Sequence, residues 1–245
     1  MNVVSFCLYG TAEHYRVGAI KNVELCRKHY PGWEVFFYVS PTIPKDIVDK
    51  LIELDCYVNI VEAPDNAYFM NYRYLPCVDP DVDIAIFRDT DSRVDEREAA
   101  AVNEWLASGK GLHIMRDHPW HLPHPDQHMI LGGMWGLRCD KLRDFDKLAN
   151  LCHADTVHGA DQRLLTKYVY PRFLEKNDIF VHDEFFNKSI CTSDKHQFPM
   201  PRASMRVNGE DLPLFVGCQF DENDKPLNPY HLQILQTFVN SIKNI

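Results

Sequence analysis

The sequence predicts an α/β fold with a mixed, mostly parallel sheet flanked by helices. Through the first hundred residues, short apolar runs alternate with segments of helical spacing, the βαβαβ order of such sheets. The runs are apolar throughout, as in strands covered on both faces. The chain has 245 residues, 45% hydrophobic and 25% charged, enough for one large domain with a sizeable core. A single domain over 1–245 is expected, built from two abutting halves, 1–116 and 117–245.

Residues 3–9 read as the first strand. Helical spacing runs through Val17, Ile20, Val23, Leu25 and Cys26 over 15–29, and Pro31-Gly32 stops it. A strand at 34–39 precedes a helix at 44–54 that opens on Pro44 and carries Ile47, Val48, Leu51 and Ile52 on one face. Strands at 57–61 and 83–88 follow, then an Ala/Glu-rich helix at 95–108 stopped by Gly109, then a strand at 111–115. The second half is less regular. It holds a His/Pro-rich loop at 118–128, a strand at 130–137 with Gly132-Gly133 inside it, and helices at 140–151 and 160–170, the latter ended by Pro171. A short strand at 179–181, a turn-rich run at 189–213 and an amphipathic helix at 232–242 complete it.

The 26 Lys and Arg stand against 35 Asp and Glu, a net charge of −9 that argues against a nucleic-acid surface. No apolar run reaches the ~18 residues of a membrane span. Met1 to Gly10 lacks the basic start of a signal peptide. The eight cysteines form no CxxC pair and no framework, and read as reduced core thiols. A cytoplasmic location is therefore expected.

In sheets of this class, ligands sit outside the carboxyl ends of the strands. There the sequence places Ile84-Ala85-Ile86-Phe87-Arg88-Asp89-Thr90-Asp91-Ser92-Arg93, an apolar strand ending in two carboxylates two residues apart. In extended chain both point to one side, roughly 6.5–7 Å apart at Cα. Such a pair repels itself unless a divalent cation joins it, and Mg²⁺ or Mn²⁺ held this way keeps positions open for phosphate oxygens. Arg88 and Arg93 suit a site that also holds anions. An acidic turn capping the helix near Asp95 is the plainer alternative. Haloacid-dehalogenase-type phosphatases also use Asp-x-Asp, but near the N-terminus and with Thr or Val where this chain has Arg93.

The blocks FCLYG (6–10), FRDTDSR (87–93), MRDHPWH (115–121), ILGGMWG (130–136), HGADQRLL (158–165) and VHDEFF (181–186) occur in this order. With them the chain resembles GT-A-fold glycosyltransferases, in particular small bacterial and giant-virus enzymes, over about residues 3–186. The resemblance implies a GT-A, Rossmann-like domain, with 1–116 as the nucleotide-binding half and 117–245 as the sugar and acceptor half. It implies transfer of a sugar from a nucleotide-diphosphate donor, with uridine the expected base, to a hydroxyl of a glycan or glycoconjugate, assisted by Mn²⁺ or Mg²⁺.

By the same resemblance Tyr9, Gly10 and Tyr15 line the base and ribose pocket, with Glu62 beside them. Arg88 and Asp89 lie against ribose and sugar, and Asp91 binds metal together with Asp89. His182 is the expected third metal ligand. Gly132 and Gly133 make room for the donor sugar. Asp161 and Gln162, opening a helix, hold sugar hydroxyls, with Asp161 the expected catalytic carboxylate near the anomeric carbon; a helix cap is its plainer role. Asp117 and His118 face donor or acceptor hydroxyls. His118-x-x-His121-x-x-His124 has zinc-like spacing, but Pro119, Pro123 and Pro125 break any regular element, so this run reads as an acceptor loop. A non-catalytic sugar- or nucleotide-binding module is the alternative from another class; it has no need of the metal-binding carboxylates.

Overall fold

The computed structural model describes residues 1–126, 128–185 and 195–243. Eight strands form one sheet in the order β3-β2-β1-β4-β6-β5-β7-β8. They are β1 (Asn2–Leu8), β2 (Glu34–Val39), β3 (Tyr57–Ile60), β4 (Ile84–Arg88), β5 (Leu112–Arg116), β6 (Trp135–Arg138), β7 (Ile179–Asp183) and β8 (Lys195–His196). Every pairing is parallel except those of β6, which lies antiparallel between β4 and β5.

Period-2 alternation divides the core into two layers. Val4, Phe6, Leu8, Ile84 and Ile86 meet α1 (Glu13–His29), α2 (Lys45–Glu53) and α3 (Glu96–Ser108) on one face. Val3, Cys7, Ala85, Phe87 and Trp135 meet a 3₁₀ segment (Ala67–Val78), α4 (Phe145–Leu151), α5 (Ala160–Leu164) and α6 (Tyr170–Leu174) on the other. The helix ends follow local chemistry. Arg27, Lys28 and His29 complement the carboxyl end of α1. Asp95 caps α3, accepting the Glu98 N–H at 2.7 Å, and Gly109 closes it at φ 72°. A hairpin of β9 (Ser204–Val207) and β10 (Glu210–Pro213) packs with α7 (Pro229–Lys243) around a smaller core of Leu212, Phe215, Leu232 and Leu235. No described helix is long and apolar enough to cross a membrane.

Several expected elements differ. The strand read at 130–137 begins only at Trp135, so Gly132-Gly133 stand in the loop before it. The helix read at 140–151 is a 3₁₀ turn (Cys139–Lys141) followed by α4. Pro171 does not end the helical run. A π-turn (Leu165–Val169) precedes α6, and Pro171 sits in the first turn of α6, where a missing N–H costs nothing. The 3₁₀ segment was not foreseen, and the run read as turns contains β8 and the β9–β10 hairpin. Residues 186 and 189–194, within the quoted blocks and that turn-rich run, lie outside the described residues.

Candidate active site

A cavity of about 580 Å³ opens beyond the carboxyl ends of β1 and β4. It brings together Tyr9, Gly10, Tyr15, Asp89, Asp91, Gly132, Gly133, Asp161 and Gln162, nine residues singled out from the sequence. Gly10 turns the chain at φ 81°, and its N–H donates to Asp65 at 3.2 Å.

The centre of the cavity is a residue that sequence reading missed. Arg73, buried in the 3₁₀ segment, donates from Nη2 to Asp161 Oδ2 at 2.6 Å and from Nη1 to Asp89 Oδ1. Its segment is tied to β1 by two bonds: the Ser5 hydroxyl donates to the Arg73 carbonyl at 2.6 Å, and the Cys7 thiol to the Phe69 carbonyl. The Tyr74 hydroxyl lies 3.1 Å from Asp161 Oδ2 and 3.0 Å from the Gly132 carbonyl oxygen. A signal was present in AYFMNYRYLPCV, where Arg73 is the only charge in an otherwise uncharged, aromatic-rich stretch. An arginine buried there needs carboxylate partners.

Asp161 is no helix cap. Gly159, at φ 82°, occupies the N-cap of α5, and no side chain caps that helix. The carboxylate of Asp161 instead faces Arg73 and Tyr74 with Oδ2, while its buried Oδ1 has no hydrogen-bond partner among the described residues. Asp91 is also buried, with Oδ2 accepting from Gln219 Nε2 at 2.7 Å. Burial, reinforced by the nearby Asp89, pushes its carboxyl up to about 7. Gln219 is the second residue that sequence reading missed; no local motif marks it.

The two glycines serve the protein's own carboxylates. A Cβ on Gly132 would lie 2.0 Å from Asp161 Oδ2 and 2.5 Å from Arg73 Nη2; one on Gly133 would lie 2.0 Å from Asp89 Oδ2. The space expected for a donor sugar is therefore used first to seat Asp161 and Asp89.

Other expected site residues lie elsewhere. Arg88 follows the alternation of β4 onto the opposite face from Asp89, where Nε donates to Glu98 at 2.6 Å and Nη1 to the Trp135 carbonyl at 2.9 Å. Arg93 braces the loop, bonding Asp224 at 3.0 Å and the carbonyls of Thr90, Asp91 and Ser92. Asp117 is sealed under Arg97 and Arg202. His118 uses Nε2 on the His231 carbonyl and Nδ1 on the Trp120 N–H. Glu62 is exposed and does not line the cavity. His182 is the clearest correction to the metal site: it is fully buried, with Nδ1 2.8 Å from His113 Nε2 and Nε2 3.0 Å from Glu104, leaving no nitrogen for a cation. Among the described residues, no cluster of three or more His, Cys, Asp or Glu is arranged to hold a metal, the spaced histidines of 118–124 included.

Solved structures are similar to this chain in fold. S. aureus TarS 1–349 in complex with UDP is similar over 75% of this chain and 58% of that chain, at 13% identity and a TM-score of 0.50. The fold is GT-A-like. A glycosyltransferase involved in glycosylating the major capsid of PBCV-1 matches 74% of this chain and 81% of its own, at 16% identity and a TM-score of 0.46. The 4-diphosphocytidyl-2C-methyl-D-erythritol synthase from Anaerococcus prevotii DSM 20548 matches 77% and 90%, at 10% identity and a TM-score of 0.46. No protein-family model and no curated protein matches the sequence.

Proposed function

We propose that this GT-A-like protein is a glycosyltransferase that moves a sugar from a nucleotide-diphosphate donor to a hydroxyl of a glycan or glycoconjugate. The observation that carries the reading is the carboxylate set of one cavity: Asp161 and Asp89 bridged by buried Arg73, with Asp91 beside them. Tyr9, Gly10 and Tyr15 wall the end of the cavity suited to base and ribose, where a tyrosine face stacks on a heterocycle.

The donor set fits a hard divalent cation. Asp89 and Asp91 offer only oxygen, and both line the same cavity, with the Asp91 carboxyl raised by burial and then by the nearby Asp89. Asp91 with Asp89 would hold Mn²⁺ or Mg²⁺, whose charge neutralises the leaving diphosphate when bound. Arg73 holds the Asp161 carboxylate in place. The unpaired Oδ1 of Asp161 accepts a sugar hydroxyl or faces the positive charge that develops at the anomeric carbon. Gln162, on the cavity wall, orients the sugar. The acceptor hydroxyl attacks the anomeric carbon as the bond to the diphosphate breaks.

Thermal denaturation with a nucleoside-diphosphate panel, with and without Mn²⁺, tests this. A ligand at about 100 times its Kd stabilises by roughly 2.7 kcal/mol, which is about 5–10 °C in Tm for a chain of this size. UDP with Mn²⁺ is expected to give the largest shift, and Asp91→Asn is expected to remove the Mn²⁺-dependent part while leaving the unliganded Tm near wild type or above it. No nucleotide stabilising the wild type in either condition would overturn the reading.

A further inference from the structure

Of the four tryptophans, Trp33, Trp105 and Trp135 are buried, while Trp120 is 54% exposed. Beside it stands Tyr230, 59% exposed, the two rings meeting edge to face with centroids 6.0 Å apart at 63°. The pair is held rigidly. Trp120 packs edge-on against His231 at 4.7 Å, its backbone N–H donates to His118 Nδ1, and His118 is bound to the His231 carbonyl at 2.9 Å and packed on Phe215. Among the described residues, neither the Trp120 indole N–H nor the Tyr230 hydroxyl has an intramolecular hydrogen-bond partner.

A short run of chain links Tyr230 to the candidate active site. Gln219 holds Asp91, and the Leu227 N–H donates to the Gln219 carbonyl at 2.9 Å. Three steps along the chain lead from Leu227 to Tyr230. With about 5.5 Å across the bonded pair and about 3.5 Å per residue of chain, Tyr230 lies no more than roughly 16 Å from Gln219. That is a few sugar rings from a residue that lines the cavity.

We infer that Trp120 and Tyr230 form an acceptor subsite on which a pyranose ring of a glycan stacks. A pyranose presents a face of polarised C–H bonds, which the negative face of an aromatic ring attracts, and a rim of hydroxyls, which the free indole N–H and phenol meet. Rigid, amphipathic rings of this kind give contact area at little entropic cost. The inference rests on the glycosyltransferase reading for the site of attack, but not for sugar binding itself.

Trp120 also provides the measurement, because it is the one exposed indole among the described residues. The probes are methyl glycosides and disaccharides of glucose, galactose, mannose and N-acetylglucosamine, titrated to 100 mM in order to detect affinities of roughly millimolar strength. At least one is expected to protect wild-type fluorescence from acrylamide quenching, and Tyr230→Ala is expected to weaken that protection. In transfer assays, Trp120→Ala and Tyr230→Ala are expected to raise the saccharide KM roughly tenfold, the scale of a lost ring contact. Donor hydrolysis is expected to stay within about twofold of wild type, since neither ring lines the cavity, and Trp120→Phe is expected to recover part of the loss. Failure of every probe to protect Trp120, or unchanged saccharide KM values with donor hydrolysis intact, overturns the subsite. So does sedimentation in which wild type self-associates and Trp120→Ala does not, or phospholipid vesicles that protect Trp120 where sugars do not. Absence of donor hydrolysis in the wild type strikes the glycosyltransferase reading instead, and sugar protection of Trp120 still decides the subsite.

Discussion

Two buried arginine–carboxylate clusters stand at the carboxyl edge of the sheet, and they differ in their last oxygen. Asp117, after β5, accepts Arg97 Nε at 3.0 Å, Arg97 Nη2 at 2.8 Å and the Val216 N–H at 2.9 Å, and pairs with the Arg202 guanidinium at 2.7 Å, so both carboxylate oxygens are used. Glu184 closes that network by pairing with both arginines. Asp161, just as buried, lines the cavity with one oxygen on Arg73 and Tyr74 and the other without a hydrogen-bond partner. Buried polar atoms in folded proteins are nearly always satisfied. A fully satisfied cluster is part of the scaffold, and an unsatisfied oxygen beside a cavity marks where a ligand completes the set.

Opposite failures are expected from the two carboxylates. Asp117→Ala strands two buried arginines, and breaking such pairs costs about 3–5 kcal/mol, a drop of roughly 10 °C in Tm. Whatever remains folded should bind nucleotide as the wild type does. Asp161→Asn should lose about 1–3 kcal/mol, the cost of weakening a hydrogen bond to a charged group, but lower the transfer rate by roughly 10²-fold with little change in donor affinity. Denaturation and steady-state kinetics on both variants check this. If Asp161→Asn were the less stable of the two and retained its rate, the contrast between the clusters would collapse.

The paired glycines sharpen the contrast. Gly132→Ala forces a methyl against buried Asp161 and Arg73, which cannot retreat, so a loss of about 1–3 kcal/mol in stability is expected. Gly133→Ala forces Asp89 instead, whose side chain is 44% exposed and can swing outward. Leaving Arg73 with Asp161 as its remaining carboxylate, that variant should lose less stability than Gly132→Ala but also lose Mn²⁺-dependent nucleotide binding by calorimetry. Equal loss of stability in both would mean that Asp89 is as fixed as Asp161.

The smallest effect concerns pH. Glu104 accepts from His182, which accepts from His113, and His113 Nδ1 is left buried without a partner. Burial, with His182 alongside, holds His113 well below the usual histidine range. The folded chain keeps it neutral, while the unfolded chain takes up a proton below about 6.5. Its contribution is therefore complete above that pH and is lost as pH falls. Between pH 6.5 and 5.5, His113→Asn should show a dependence of stability on pH shallower than wild type by about 1 kcal/mol per unit. Urea melts at several pH values measure it; parallel slopes would show that His113 titrates normally.

Much of this molecule is written locally. The alternation of apolar runs and helical spacing gives a parallel sheet with helices on both faces, because strands covered on both sides and helices covered on one have different apolar periods. The same pattern places Asp89-Thr90-Asp91 at a strand end and Asp161-Gln162 at a helix start, whereas Gly132-Gly133, read inside a strand, stand in the loop before it. Those residues met in one cavity because the carboxyl ends of parallel strands share an edge. The misplacements share a single cause. Arg88 and Asp89 are adjacent in sequence, yet one residue of strand register sends them to opposite faces, so Arg88 binds Glu98 in the core while Asp89 reaches Arg73. His182 and Asp117 have the right residue types, but which partners surround them depends on segments 20 to 100 residues away, and those partners use up every lone pair. Arg73 and Gln219 carry no motif because their roles exist only as pairings across the fold, 88 residues to Asp161 and 128 residues to Asp91. Sequence determined which side chains stand at the mouth of the sheet, since that follows from periodicity within each element. Tertiary structure alone decided which of their charges are neutralised and which are left open to a ligand, since that depends on contacts no local pattern encodes.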